Sequence, residues 1–127
     1  MTADMEFTRY MENACMAVLG NDRAYTVTSV PDDATMPYMT FEWVTADIDD
    51  GDIPIVVQIW ERTDREAVPN AHAAAFRRYI EENDMVVFDD GAIWVKPGSP
   101  WCRSLKDEAD KYIKRRYINV SLEFLTR

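Results

Sequence analysis

Histidine is almost missing from this sequence, cysteine occurs only twice, and no run of apolar residues is long enough to cross a bilayer. The lone histidine, His72, lies in the alanine-rich stretch PNAHAAAF with no carboxylate or nucleophile beside it in sequence. Acid–base catalysis needs a positioned partner, so His72 is read as helix surface or packing. Cys15 and Cys102 show neither CxxC spacing nor the density of a disulfide framework, which disfavours zinc and staples and leaves reduced thiols as the expectation. Cys102 follows Trp101 with no adjacent base to lower its pKa, so a structural thiol is expected rather than a nucleophile. A membrane helix needs about 18 apolar residues. The N-terminal MTADMEFTRYMENACM also lacks the basic start and apolar stretch of a signal peptide, so the chain is expected to be intracellular when made. Gly-rich phosphate loops, HExxH and GxSxG are absent. No enzyme activity, cofactor or metal is expected.

Positive charge is also scarce. Fourteen Lys and Arg face 23 Asp and Glu, for a formal charge of -9. A chain so acidic repels phosphate backbones, which disfavours a sequence-reading DNA binder. The exception is the C-terminal third, where Lys106, Lys111, Lys114, Arg115 and Arg116 gather while the acidic excess lies upstream. Such asymmetry suits head-to-tail contact between copies.

What is present is enough for a core. The 127 residues, 47% apolar and 12% aromatic, suit one domain over residues 1–127. Phe7, Tyr10, Met11, Ala14, Cys15, Val18 and Leu19 recur at steps of three and four, predicting a helix that Gly20 stops. AYTVTSV from Ala24 reads as a first strand closed by Pro31, Asp32 and Asp33. Tyr38 to Val44 alternates, with Met39, Phe41 and Trp43 on one side and Thr40 and Glu42 on the other. Asp50-Gly51 is read as a hairpin turn leading into IPIVVQIW, a central strand paired with the one before it. A second helix is predicted between Asp64 and Asn83, with Pro69 in its first turn and Ala73, Phe76, Tyr79 and Ile80 on its apolar side. Arg77, Arg78, Glu81 and Glu82 then face water. MVVF, Asp89-Asp90-Gly91 and AIWV form a second hairpin by the same turn logic. KPGSPWC is expected to be a loop, and SLKDEADKY to add one or two helical turns capped by Ser104, with Asp107 three residues on. Ile118, Val120, Leu122 and Phe124 alternate with Asn119, Ser121 and Glu123 in the clearest strand.

The fold class is therefore α+β, a mostly antiparallel mixed sheet of about five to six strands flanked by two main helices. Asp47, Asp49, Asp50 and Asp52 suggest a calcium loop, but the twelfth position from Asp47 is Gln58 where an EF-hand needs glutamate. A solvated turn that meets basic residues of a neighbour fits better. Trp43, Trp60 and Trp94 fall in strands and are assigned to core, whereas Trp101, in the Pro-rich segment, is the expected interface anchor.

From Asp89 to Arg127 the sequence resembles the minor capsid, or tail-terminator, proteins of long-tailed bacteriophages. The similarity rests on Gly91, Trp94, the triplet Gly98-Ser99-Pro100, and RRYIN at Arg115 to Asn119. The first part agrees in layout only. This resemblance implies an α+β subunit that forms a closed ring, commonly hexameric, on the tail tube and presents the head-tail joining surface. It also implies three partners: further copies of itself, the major tail tube protein and a head-completion or connector protein. DNA would pass through without specific binding, and the protein would reside in the virion after assembly in the bacterial cytoplasm. The candidate contact joins Asp47, Asp49, Asp50 and Asp52 to Lys114, Arg115 and Arg116 of the next copy, with Trp101 as anchor. The alternative is a small non-catalytic binding module, such as an assembly chaperone.

Overall fold

The computed structural model describes residues 1–126, without the side chain of Lys106. Lys106 as a member of the basic cluster, and Arg127, thus lie outside the described residues. The predicted first helix is α1, Ala3–Leu19, and it ends where Gly20 takes φ 78 and donates its N–H to the Met16 carbonyl. Its apolar stripe is buried from Phe7 to Cys15. The next strand is much shorter than AYTVTSV suggested. β1 is only Ala24–Thr26, because the Ser29 N–H turns back to the Thr26 carbonyl and leads the chain away. β1 pairs in parallel with β2, Tyr38–Phe41, and Arg23 holds the intervening loop through the carbonyls of Thr35 and Pro37.

β2 pairs antiparallel with β3, Asp52–Arg62, as expected, but no tight hairpin joins them. The ladder stops after Phe41↔Val57, and the Glu42 carboxylate accepts the Val56 N–H at 2.6 Å. The chain then crosses through a single 3-10 turn, Ile48–Asp50, after which Gly51 adopts φ 66. α2, Ala67–Glu82, buries Pro69, Ala73, Phe76 and Ile80. β4, Met85–Phe88, forms the predicted second hairpin with β5, Gly91–Lys106, across Asp89 and Asp90. Positive φ is not what this turn needs, since among the described residues only Gly20 and Gly51 have it. Gly91 is required for space instead, because a Cβ there would stand 2.5 Å from the Thr126 Cβ.

Two further expectations are corrected in β5. KPGSPWC is not a free loop but a wide bulge inside the strand. Pro97 faces Val120 and Cys102 faces Ile118, so residues 98–101 lie against Asn119 alone. The Asn119 side chain anchors the bulge by donating to the Pro100 carbonyl at 2.8 Å. SLKDEADKY gives no helical turn, and Ser104 is strand rather than cap. Asp107 instead accepts the N–H groups of Ala109 and Asp110, a side-chain-built turn that returns the chain into β6, Ile113–Leu125.

The sheet order is β1-β2-β3-β6-β5-β4, mixed and mostly antiparallel, which gives the α+β fold. Ile55, Val57 and Ile59 of β3 and Ile118, Val120, Leu122 and Phe124 of β6 belong to one buried cluster with Phe7 and Met11 of α1 and Phe76 and Ile80 of α2. Strand side chains alternate between faces, so both helices cover the same side of the sheet and touch each other through Tyr10 and Tyr79. Among the described residues no helix lies over the other side.

Gly98→Ala tests the bulge. A Cβ at Gly98 would lie 2.7 Å from the backbone oxygen of Asn119, where neither side can yield without shifting the strand. A destabilisation of about 1–3 kcal/mol is expected from urea titration of the variant.

Candidate interaction surface

Inward-facing positions of the two central strands hold two charges. Glu61 follows Ile55, Val57 and Ile59 in phase and is 4% exposed, while Arg116 precedes Ile118 in phase and is 1% exposed. Buried charges must be paired and hydrogen-bonded. Both Glu61 oxygens lie 2.8 Å from His72 Nδ1, so the histidine has the carboxylate partner that the sequence did not show. Arg116 donates to Glu66, to the Asn70 side chain at 3.0 Å and to the Arg115 carbonyl at 3.2 Å. These bonds tie the start of α2 to the sheet. The Arg116 hydrogen bond, helped by the charges of Arg116 and Lys114, holds the Glu66 carboxyl below its ordinary range.

The acidic and basic segments sit at opposite ends of the β3–β6 pair. Asp52 lies opposite Glu123, and Glu61 lies opposite Lys114, roughly 30 Å away at 3.3 Å per residue. The structure does not, however, bring Lys114, Arg115 and Arg116 together as one exposed patch. Arg115 and Arg116 alternate to opposite sides of the sheet. Arg115 stacks its guanidinium 4.3 Å from the Trp60 ring and donates to the Gln58 side chain at 2.9 Å. Lys114 donates to the Lys111 carbonyl and lies 3.6 Å from Glu66. Arg116 is inside, so the expected docking of all three onto a neighbour's acids is corrected: Arg116 has no surface to offer.

At the acidic end, Asp47 accepts the Asp49 N–H and Asp50 accepts the Asp47 N–H, a reciprocal cap that shapes the 3-10 turn. Asp52 pairs with Lys96 at 2.8 Å, and Lys96 also reaches Glu123. Those hydrogen bonds, that of Asp52 first, raise the Lys96 ammonium above its ordinary range. The turn still projects Ile48, 41% exposed, among its carboxylates.

The uncovered side of the sheet is rich in rings. Trp60 stacks on Tyr38 at 5.9 Å and donates its Nε1–H to Thr40, which is buried on that side. At the other end Trp94, Met85 and Val87 share that side and are 40%, 46% and 67% exposed. Trp60 and Trp94 were expected in the core and instead face outward. Trp43 lies half-buried between Phe7 and Phe124, on the core side.

Trp101 is half-buried rather than free. Its Nε1–H donates to the Ala73 carbonyl at 3.1 Å, and its ring meets Phe76 at 5.7 Å. Its outer surface borders an open groove of about 460 Å³ between α2 and the β5 bulge, rimmed by Arg77 and Arg78. Sequence reasoning placed these arginines in water without linking them to Trp101. Nothing in the sequence links them, because the contact of Trp101 with Ala73 depends on how the β5 bulge meets α2. Burial pushes both thiols up, that of Cys15 to about 11, which leaves little thiolate at neutral pH. Among the described residues no helix is long and apolar enough to cross a membrane, and no three His, Cys, Asp or Glu side chains group as metal ligands.

No family model matches this chain, and no curated protein matches it significantly.

Two substitutions separate the neighbouring arginines. Arg116→Ala is expected to cost about 2–3 kcal/mol, through an unfilled cavity and the lost hydrogen bonds to Glu66, Asn70 and the Arg115 carbonyl. Arg115→Ala should cost less than about 1 kcal/mol, since it removes a surface cation–ring contact. Denaturant midpoints of the two variants check this order. Glu66 also makes a pH prediction. Its carboxyl is depressed in the fold, so the stability it adds is present above its ordinary value of 4.5 and is lost as pH falls through the lowered one. Urea titrations from neutral pH to below that value should show a shallower acid loss for Glu66→Gln than for the unaltered chain.

Proposed function

We propose that this chain is a structural virion subunit, a tail-terminator-like protein that forms a ring on the end of a long phage tail and makes the surface joining it to the head. The observation that carries this is the sheet side without helices. A side bearing Trp94, Met85, Val87 and the Trp60–Tyr38 stack is suited to be covered by another protein surface. The segment that resembles tail terminators supports the same conclusion. Its Gly-Ser-Pro triplet lies in the bulge at residues 98–101, and its RRYIN lies on β6, the strand that pairs with both β3 and β5. The partners are further copies of the chain, the major tail tube protein and a head-completion protein. With a charge of -9, the ring would let DNA pass without holding its phosphates. The subunit would be made in the bacterial cytoplasm and reside at the head-tail junction.

Deleting the gene from the phage that encodes it and imaging the particles by electron microscopy tests this. Tails of irregular length, or tails of normal width that fail to join full heads, are the expected result. Intact particles of normal tail length would refute it.

A further inference from the structure

We infer that the turn at Asp47–Asp52 of one copy docks into the groove between α2 and the β5 bulge of the next, with Ile48 as its apolar plug. This deepens the ring reading above and rests on it for the choice of a second copy as occupant. The groove is lined by Ala73, Ala74 and Trp101 on its apolar side, by Asn70, Cys102 and Ser104, and by the two cations Arg77 and Arg78. None of the described residues that line it is acidic, in a chain of net charge -9. Arg78 makes no hydrogen bond or ion pair among the described residues, and Arg77 reaches Glu81 only at 3.9 Å while resting 5.5 Å from the Trp101 ring. An occupant should therefore combine carboxylates with one modest apolar side chain.

The chain itself presents that combination. In Asp-Ile-Asp-Asp-Gly-Asp, the exposed Ile48 sits among Asp47, Asp49 and Asp50 on a turn whose shape is fixed by its own cap. Asp47 and Asp50 each accept one backbone N–H within the turn and keep lone pairs for an arginine. The turn cannot enter its own groove. The Ile48 N–H is bonded to the Thr126 carbonyl at the end of β6, whereas the bulge lies against Asn119, roughly 20 Å back along that strand. Contact must come from another copy. Because plug and groove are different patches, the contact is head-to-tail and propagates into a closed ring or an open chain. It also leaves the ring-bearing sheet side free for a different partner.

Sedimentation of the whole chain across concentration and salt, with folding checked by circular dichroism, tests this. The unaltered chain should associate, less so at high salt. Arg78→Glu, and more strongly Arg77→Glu with Arg78→Glu, should weaken association by about a hundredfold, as juxtaposed like charges do. Ile48→Lys should do the same from the other side. An equimolar mixture of the Ile48→Lys chain and the double arginine variant should pair although neither associates alone, because the working plug of one meets the working groove of the other. The inference is overturned if the unaltered chain stays monomeric to its solubility limit, if the arginine variants assemble as it does, or if the mixture fails to pair. A monomeric chain whose gene deletion still spoils tails would sink this contact alone. Association through plug and groove with normal tails after deletion would sink the tail role alone.

Discussion

The pairing of β3 with β6 is the constraint on which the rest of this molecule depends. Side chains alternate along a strand, so a slip of one residue would turn Ile55, Val57, Ile59, Ile118, Val120 and Leu122 outward together and strip both helices of their packing surface. The register also decides where the charges lie. It sets Glu61 and Arg116 on the helix side, where His72, Glu66 and Asn70 receive them, and leaves Arg115 on the other side against Trp60. A buried guanidinium tolerates few alternatives, because any packing that left it unpaired would be costly. The polar contacts at the start of α2 thus help specify which way that helix is laid down.

Much of the fold was legible because periodicity is a backbone property. The stripe from Phe7 to Leu19, the alternation from Ile118 to Phe124 and the turn at Asp89 and Asp90 each mark an element that forms. Local rules failed where a side chain took over a backbone task. Glu42 ends the β2 ladder by accepting the Val56 N–H, and Asp107 builds a turn that looked like a helix cap. Prolines read as loop markers were accommodated by a bulge, because β5 is an edge strand beyond its short pairing with β4 and lacks a neighbour there to be disturbed.

The candidate site was less legible, for a reason visible in β6. The inward phase of β6 runs back past Ile118 to Arg116, one step earlier on the same side, where a buried cation requires polar partners. Likewise Glu61 continues the inward phase of β3 and foretells a partner for His72. Clustering by sequence treated Lys114, Arg115 and Arg116 as one patch, although adjacent strand residues point apart. The arginines with open surroundings, Arg77 and Arg78, come from a helix, where neighbours in space are three or four residues apart and sequence clusters mislead less.

A sheet packed on one side only divides its strand residues into two populations that answer to different demands. Inward positions are bound by shape, and few replacements there leave the core intact. Exposed outward positions such as Met85, Val87 and Trp94 are less constrained, since surface changes commonly stay within about 0.5 kcal/mol. Lineages can therefore rewrite the outer population to follow a changing partner while the scaffold persists, so that recognisable sequence would erode faster than architecture.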